Sequence, residues 1–386
     1  MLTKTQEEFL SLIRFEICGT ALPKDFSVSD ENALIALAKK QDLTHLIYDA
    51  LIKNDLPCSS SFAMQQYYAS IWRVEQMQHE IARLSELFEE EKIDFILLKG
   101  SVMRRFYPEN WMRTSADIDI LFRESEFERV KKLVIEKLGY KGEDGNGGTC
   151  HYSVFAPGSE VHVELHRQLF TEYLAKPRVF ETMSRVWTMV EKTDDSSCQY
   201  TMPDALLYFY HLAHMAKHIT YSGGCAVRGL IDLWLLDNIP DKDEAGRKQL
   251  LEENDLAVFG NHMSALADAW MNGRPAPSEE LEQYILADYM YGNEGRRLAN
   301  AVSKNGSAKV VLQKIFMPYD KIKNLYPVLK KHRYLTPVFE VVRWTGVFNK
   351  ERRERLKNGV STLSRTDEGA VNTANSISKL LQLGDQ

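Results

Sequence analysis

The apolar spacing changes character near Lys92, and that change constrains the fold more than any other feature of the chain. Before it, Tyr67, Ile71, Val74, Ile81, Leu84 and Phe88 recur at three- and four-residue intervals, the pattern of one long helix with a buried stripe. Helical patterns also cover 5–18 and 30–53, where Leu34, Leu37, Ala38, Leu46, Ile47 and Leu51 fall mostly on one face. After Lys92 come runs of strand length: 93–98 (IDFILL), 116–122 (ADIDILF), 150–156 and 161–166 (VHVELH). The last two read as an antiparallel pair across Pro157-Gly158-Ser159. From Pro203 the helical pattern returns and lasts to about residue 357. The expectation is an α+β fold, a small mixed sheet flanked by helical segments. Its divisions read as 1–90 (helical), 91–200 (sheet-bearing core), 201–320 (helical subdomain) and 321–386 (basic helical segment and poorly packed tail, where Ile377, Leu380 and Leu381 could dock).

Within the core, Ser125 and Glu128 read as a capping box, Phe127, Val130, Val134 and Leu138 as a buried stripe, and Gly139 as the helix stop. Residues 142–148 (GEDGNGG) read as a mobile hairpin connection, because no GK[ST] follows to make a phosphate cradle.

Composition removes several classes. At 386 residues with 44% hydrophobic and 26% charged content, the chain is neither disordered nor fibrous. Its net charge of -6 gives no global attraction to nucleic acid. The exception is 321–357, with eleven Lys/Arg against three Glu and with Tyr326, Tyr334 and Trp344 interleaved. That segment leaves a nucleic-acid partner open without favouring one. Five scattered cysteines without a CxxC pair indicate neither a disulfide framework nor a zinc ribbon. The apolar stretch Ala205 to Ala216 is broken by His211 and His214 and is too short to span a bilayer. The N-terminus has no secretory pattern, so a cytoplasmic protein with no membrane partner is expected.

The chemistry concentrates on two strands. In Asp117-Ile118-Asp119-Ile120, alternation puts both carboxylates on one face and both isoleucines on the other. Two carboxylates so close repel unless a cation lies between them, and an all-oxygen platform suits Mg²⁺. An exposed strand with two solvated aspartates would carry the same letters. In 161–166, Val161, Val163 and Leu165 share one face, while His162, Glu164 and His166 share the other. Glu164 is thus a third carboxylate, on a strand able to neighbour the first. Zinc on His162, Glu164 and His166 ranks below magnesium, since positions i and i+4 on a strand lie far apart. His166 reads as an acceptor-site or supporting residue, and His162 as incidental. Gly100-Ser101 follows a strand and precedes a helical pattern, an arrangement that lets phosphate approach free backbone N–H groups.

Gly-Ser, then DxD, then one acidic strand residue resembles the polymerase-β-like nucleotidyltransferase superfamily. More narrowly, ILLKGSVMRRFYPENWMRTSADIDILF and VHVELHRQL are similar to a family of uncharacterised bacterial nucleotidyltransferases. The likeness runs through Ala36 to Leu51, Leu97 to Gly100, Tyr107-Pro108, Arg113, Asp117 to Leu121, Gly139-Tyr140 and Glu164 to His166, and covers roughly 30–240. Fifteen residues separate Ser101 from Asp117, more than is usual in the superfamily.

The resemblance implies a polymerase-β-like core in which Asp117 and Asp119 bind two Mg²⁺ ions that carry a nucleoside triphosphate such as ATP. Glu164 would complete the site and help to activate an acceptor hydroxyl. Gly100 and Ser101 would hold the triphosphate, with Lys99 and Arg113 as phosphate partners or, alternatively, members of salt bridges. Related nucleotidyltransferase toxins have a Lys, an Arg and a later Asp around the nucleotide, roles that Lys217, Arg228 and Asp232 could take. An Arg228–Asp232 i,i+4 pair and buried histidines explain the same residues structurally. The implied reaction moves an NMP from an NTP to a small molecule, a protein hydroxyl or a tRNA end, releasing pyrophosphate. A non-catalytic nucleotide sensor or scaffold and a metal-dependent phosphohydrolase are the rival readings.

Overall fold

Four helices precede the sheet: α1 (Lys4–Cys18), α2 (Glu31–Lys40), α3 (Thr44–Lys53) and α4 (Ser61–Glu90). Thr3 and Gln6 form a capping box on α1, and the side chains of Asp30 and Ser60 cap α2 and α4. The one helix expected over 30–53 is two. Asp42 takes φ +55 and the Leu43 N–H turns back to the Ala38 carbonyl, a left-handed stop made without glycine. The buried Gln41 amide leaves the helical pattern to donate to the Leu286 carbonyl.

The computed structural model describes residues 1–142, 150–222, 224–287, 294–306, 316–319, 322–323, 326–345 and 368–384. By contacts it divides into two units, 1–216 with 225–290, and 217–224 with 291–386. The first unit holds a seven-stranded sheet: β1 (Phe95–Leu97), β2 (Asp117–Phe122), β3 (Lys141–Gly142), β4 (His151–Phe155), β5 (His162–His166), β6 (Glu191–Lys192) and β7 (Gln199–Thr201). Their order is β3-β4-β5-β2-β1-β7-β6. β2 pairs antiparallel with β1 and parallel with β5, and β4 and β5 form the expected antiparallel pair. The fold is α+β, with a mixed sheet.

Between β1 and β2 lies a single helical turn, α5 (Gly100–Met103), and after β2 comes α6 (Phe127–Leu138). Ile118, Ile120 and Phe122 of β2 and Val163 and Leu165 of β5 are buried in one apolar cluster. Leu84, Leu87 and Phe88 of α4 and Phe127, Val130 and Val134 of α6 complete that cluster. The Phe88 and Phe122 rings meet edge to face at 4.9 Å. Gly139 at φ +71 ends α6 as expected, but the Ser125–Glu128 capping box does not form. Residues 124–126 are turn, the helix starts at Phe127, and no side chain caps it.

The rest of the first unit is helical: α7 (Pro177–Ser184), α8 (Asp204–Lys217, its last residue in the second unit), α9 (Val227–Asp237), α10 (Glu244–Glu253), α11 (Ala257–Met271) and α12 (Glu279–Leu286). The second unit contains α13 (Glu294–Asn305), α14 (Thr336–Thr345) and α15 (Glu368–Leu380). The tail read as poorly packed thus contains a helix. α15 packs on α13, with Ile377 and Leu381 each 1% exposed, because its few apolar residues fall on one face. Most of the glycine-rich 142–148 segment and residues 346–357 of the basic segment lie outside the described residues. No helix among the described residues is long and apolar enough to cross a membrane.

Candidate active site

Parallel pairing brings the two polar faces into register. Asp117 stands opposite His162, Asp119 opposite Glu164 and Leu121 opposite His166. On the other side of β5, His151 of β4 stands opposite His166. Register partners on neighbouring strands share a face, so these acids and imidazoles line one side of the sheet while Ile118, Val163 and their neighbours enter the core on the other. Ligand atoms of Asp117, His162 and Glu164 lie within 4.8 Å of one another, and so do those of His151, Glu164 and His166.

Asp119 is the most enclosed of the three carboxylates in the cleft, at 2% exposure. Its Oδ1 receives the Lys99 ammonium at 2.6 Å and the His166 Nε2–H at 2.8 Å. Burial alone would raise this carboxyl, but Lys99 and His166 more than reverse that and hold it well below the usual carboxylate range. His166 Nε2 also lies 3.1 Å from Glu164 Oε2. A ring nitrogen facing two acceptors is the donor. Burial disfavours the His166 imidazolium, yet the hydrogen bonds to Asp119 and Glu164 prevail and raise its pKa. Glu164 is lowered, its own burial outweighed by His166 and then His151. Asp117 behaves oppositely. Burial, and then the Asp119 charge, push it up to about 6, so it is the carboxylate most in need of a cation.

Backbone strain aims Lys99. Its φ of 46° and ψ of -121° are values of the first central residue of a II′ turn, a conformation that favours glycine. A lysine there costs about 1–3 kcal/mol, the kind of outlier that clusters at functional sites. Packing against Ser115 also requires a glycine at position 100. A Cβ at position 100 would lie 2.8 Å from Ser115 Cβ. The Ser101 hydroxyl oxygen is buried and has no hydrogen-bond partner. The short helix expected here forms as a single turn that begins at Gly100, and the backbone tightens at Arg104–Phe106 before Tyr107-Pro108.

Arg113, Arg228 and Asp232 are engaged with protein groups. Arg113 donates to Asp232 from Nε at 2.8 Å and from Nη2 at 2.8 Å, and the Tyr107 hydroxyl adds a third bond at 2.7 Å. Arg228 reaches Asp42 at 3.0 Å and the Thr114 carbonyl at 3.1 Å. The expected Arg228–Asp232 i,i+4 pair is therefore not made; each side chain finds a partner from another segment. Arg104 donates to the Arg113 carbonyl at 3.1 Å and to Ser115 Oγ at 2.6 Å. Three arginines thus pin residues 113–115, the approach to β2. Lys217 closes α8 in the second unit. His211, half-buried, bonds the Gly229 carbonyl at 2.9 Å.

Sequence reasoning missed two participants. His162, read as incidental, belongs to one of the two clusters that could hold a metal ion, and its register with Asp117 was the missing fact. Tyr210 of α8 is fully buried in the field of Lys99, Asp119, Glu164 and Asp117, and burial drives its hydroxyl above the ordinary range. Its place within an apolar helical run gave no signal.

A family model described as uncharacterised nucleotidyltransferase matches residues 27–272, which span α2 through α11 and include the whole sheet. No curated protein and no solved structure matches the chain.

Proposed function

The chain belongs to the uncharacterised nucleotidyltransferase family, and from that premise we propose that it moves a nucleoside monophosphate from an NTP to an acceptor hydroxyl, with Mg²⁺, releasing pyrophosphate. The observation that carries this reading is the in-register pairing of Asp117 and Asp119 with the strand of Glu164. Three carboxylates on one sheet face, one of them raised to about 6 by burial and then by the Asp119 charge, fit a divalent cation. Asp117, Asp119 and Glu164 would hold it. Bound there, magnesium supplies charge neutralisation to the triphosphate and the leaving pyrophosphate.

The chain's own groups then have distinct tasks. Glu164, already bonded to His166, is placed to accept a proton from an acceptor hydroxyl. His166 clamps Asp119 and Glu164 together through one nitrogen. Lys99 neutralises Asp119 in this structure and would be the cation that the cleft offers to a phosphate. Gly100 and Ser101 begin the turn beside it. Arg113, Arg228 and Asp232 position the 113–116 segment ahead of Asp117. The acceptor is open among a small molecule, a protein hydroxyl and a tRNA end.

The test is intact-mass analysis of candidate acceptors, and of the protein itself, after incubation with each NTP and Mg²⁺, with pyrophosphate measured alongside. A nucleotide adduct with matching pyrophosphate, lost in Asp117→Ala and Asp119→Ala, is expected. Free phosphate or free nucleotide without an adduct identifies a phosphohydrolase. Nucleotide binding without turnover identifies a sensor. Full activity in a folded Asp117→Ala/Asp119→Ala protein removes the catalytic assignment.

A further inference from the structure

The acids of the cleft do not face one another alone. His162 is the register partner of Asp117, and its ligand nitrogen shares a cluster with Asp117 and Glu164 whose atoms all lie within 4.8 Å. His162 Nε2 is buried and has no hydrogen-bond partner. The ring is held in plane by Phe155, stacked at 4.9 Å with 19° between the rings. A buried imidazole nitrogen left unsatisfied beside two carboxylates is an uncommon state, and a metal ion is the ligand that satisfies all three at once.

We propose that His162 is an ion ligand together with Asp117 and Glu164, so that the cleft takes a divalent first-row transition ion in preference to magnesium. The proposal rests on the nucleotidyltransferase reading for what the ion does, and refines which ion it is. Magnesium takes hard oxygen donors in strict octahedral geometry and dehydrates reluctantly. An imidazole in the first shell adds affinity for Co²⁺, Zn²⁺ and their neighbours, and little for Mg²⁺. His151 and His166 lie on the far side of Glu164 and are spoken for differently. His166 Nε2 is committed to Asp119 and Glu164, and its Nδ1 is buried without the acceptor that a ligating histidine ordinarily needs for its second N–H. The cross-strand His151–His166 pair is therefore the poorer of the two metal-capable groups.

The test is a Co²⁺ titration of the full chain without nucleotide, followed by visible absorption and then by back-titration with Mg²⁺. Wild type should bind one Co²⁺ without a thiolate charge-transfer band and release it only at large Mg²⁺ excess. His162→Gln keeps the bulk of the side chain but offers only an amide oxygen or N–H. It should lose at least about tenfold in Co²⁺ affinity while Mg²⁺ affinity changes little. His162→Ala should behave alike, so a folding defect in one variant leaves the other to decide. Unchanged selectivity in His162→Gln, with Asp117→Ala still abolishing binding, overturns the His162 proposal and leaves the carboxylate site standing. Unchanged binding in Asp117→Ala overturns both.

Discussion

Replacing Asp232 tests what holds the approach to β2 in place. Asp232 is 2% exposed and Arg113 is 8% exposed, so Asp232→Ala strands a guanidinium where water cannot replace its partner. Two hydrogen bonds at 2.8 Å and the Tyr107 bond at 2.7 Å disappear together. Breaking one side of a buried ion pair costs about 3–5 kcal/mol. The double change Arg113→Met/Asp232→Leu removes both charges, and apolar replacement of a whole buried pair is near neutral or stabilising. What it leaves is the Tyr107 hydroxyl, unpaired at a cost of about 1–3 kcal/mol. The double variant should therefore be more stable than Asp232→Ala alone. At about 2–4 °C per kcal/mol for a unit of this size, Asp232→Ala should melt roughly 6–20 °C below wild type. Tryptophan emission follows the relevant transition, because Trp72, Trp111, Trp187, Trp234 and Trp270 all lie in the first unit. A midpoint within about 2 °C of wild type would refute the reasoning, as would a double variant no more stable than Asp232→Ala.

Three further outcomes are expected. Asp117 has a folded pKa of about 6 against an ordinary 3.8, so its contribution to stability is fully present below about 4 and is lost as pH rises through 6. Asp117→Asn should therefore raise the melting temperature at pH 8, by an amount equivalent to at most about 3 kcal/mol, and do little by comparison at pH 4; equal effects at both pH values would contradict the shift. Gly100→Ala pushes a Cβ to 2.8 Å from Ser115 Cβ, and the Ser115 hydroxyl anchors Arg104, so urea unfolding should show a loss of about 1–3 kcal/mol, and Ser115→Gly should cost less in the Gly100→Ala background than in wild type if the clash is the cause. Removing residues 368–386 should destabilise the second unit by about 3–6 kcal/mol, from Ile377 and Leu381, and a truncated protein whose second unit resists protease as well as wild type would show that α15 contributes nothing.

The parts of the fold carried by local alternation were legible in the sequence. DIDIL and VHVELH each divide cleanly into a core face and a polar face, and both became strands with those faces. Period alone cannot supply register, and register is what matters at this site. That Asp117 falls beside His162, and not one residue away, follows from tertiary pairing, so the imidazole was passed over. The same limit explains the helical errors. The apolar stripe stays in phase across Asp42, hiding the break between α2 and α3. Arg228 and Asp232 have the right spacing for a helix pair, but Asp42 gives Arg228 another partner and buried Arg113 gives one to Asp232. Ser125 and Glu128 have the right letters for a cap, while Phe127, drawn into the core, sets where α6 begins.

The parallel pairing of β2 with β5 also orders events in time. Parallel neighbours cannot be joined by a tight turn, so a long connection must be made before Glu164 can reach Asp119. A growing chain exposes its two aspartates on the order of seconds before the strand that completes the trio, given ordinary rates of synthesis. During that interval, or in any chain terminated ahead of residue 162, β2 has β1 beside it but not β5, and its aspartates gather no third carboxylate. The trio of carboxylates is therefore complete only once the β4–β5 hairpin docks, and every shorter N-terminal fragment that contains β2 carries the two aspartates with Lys99 alone.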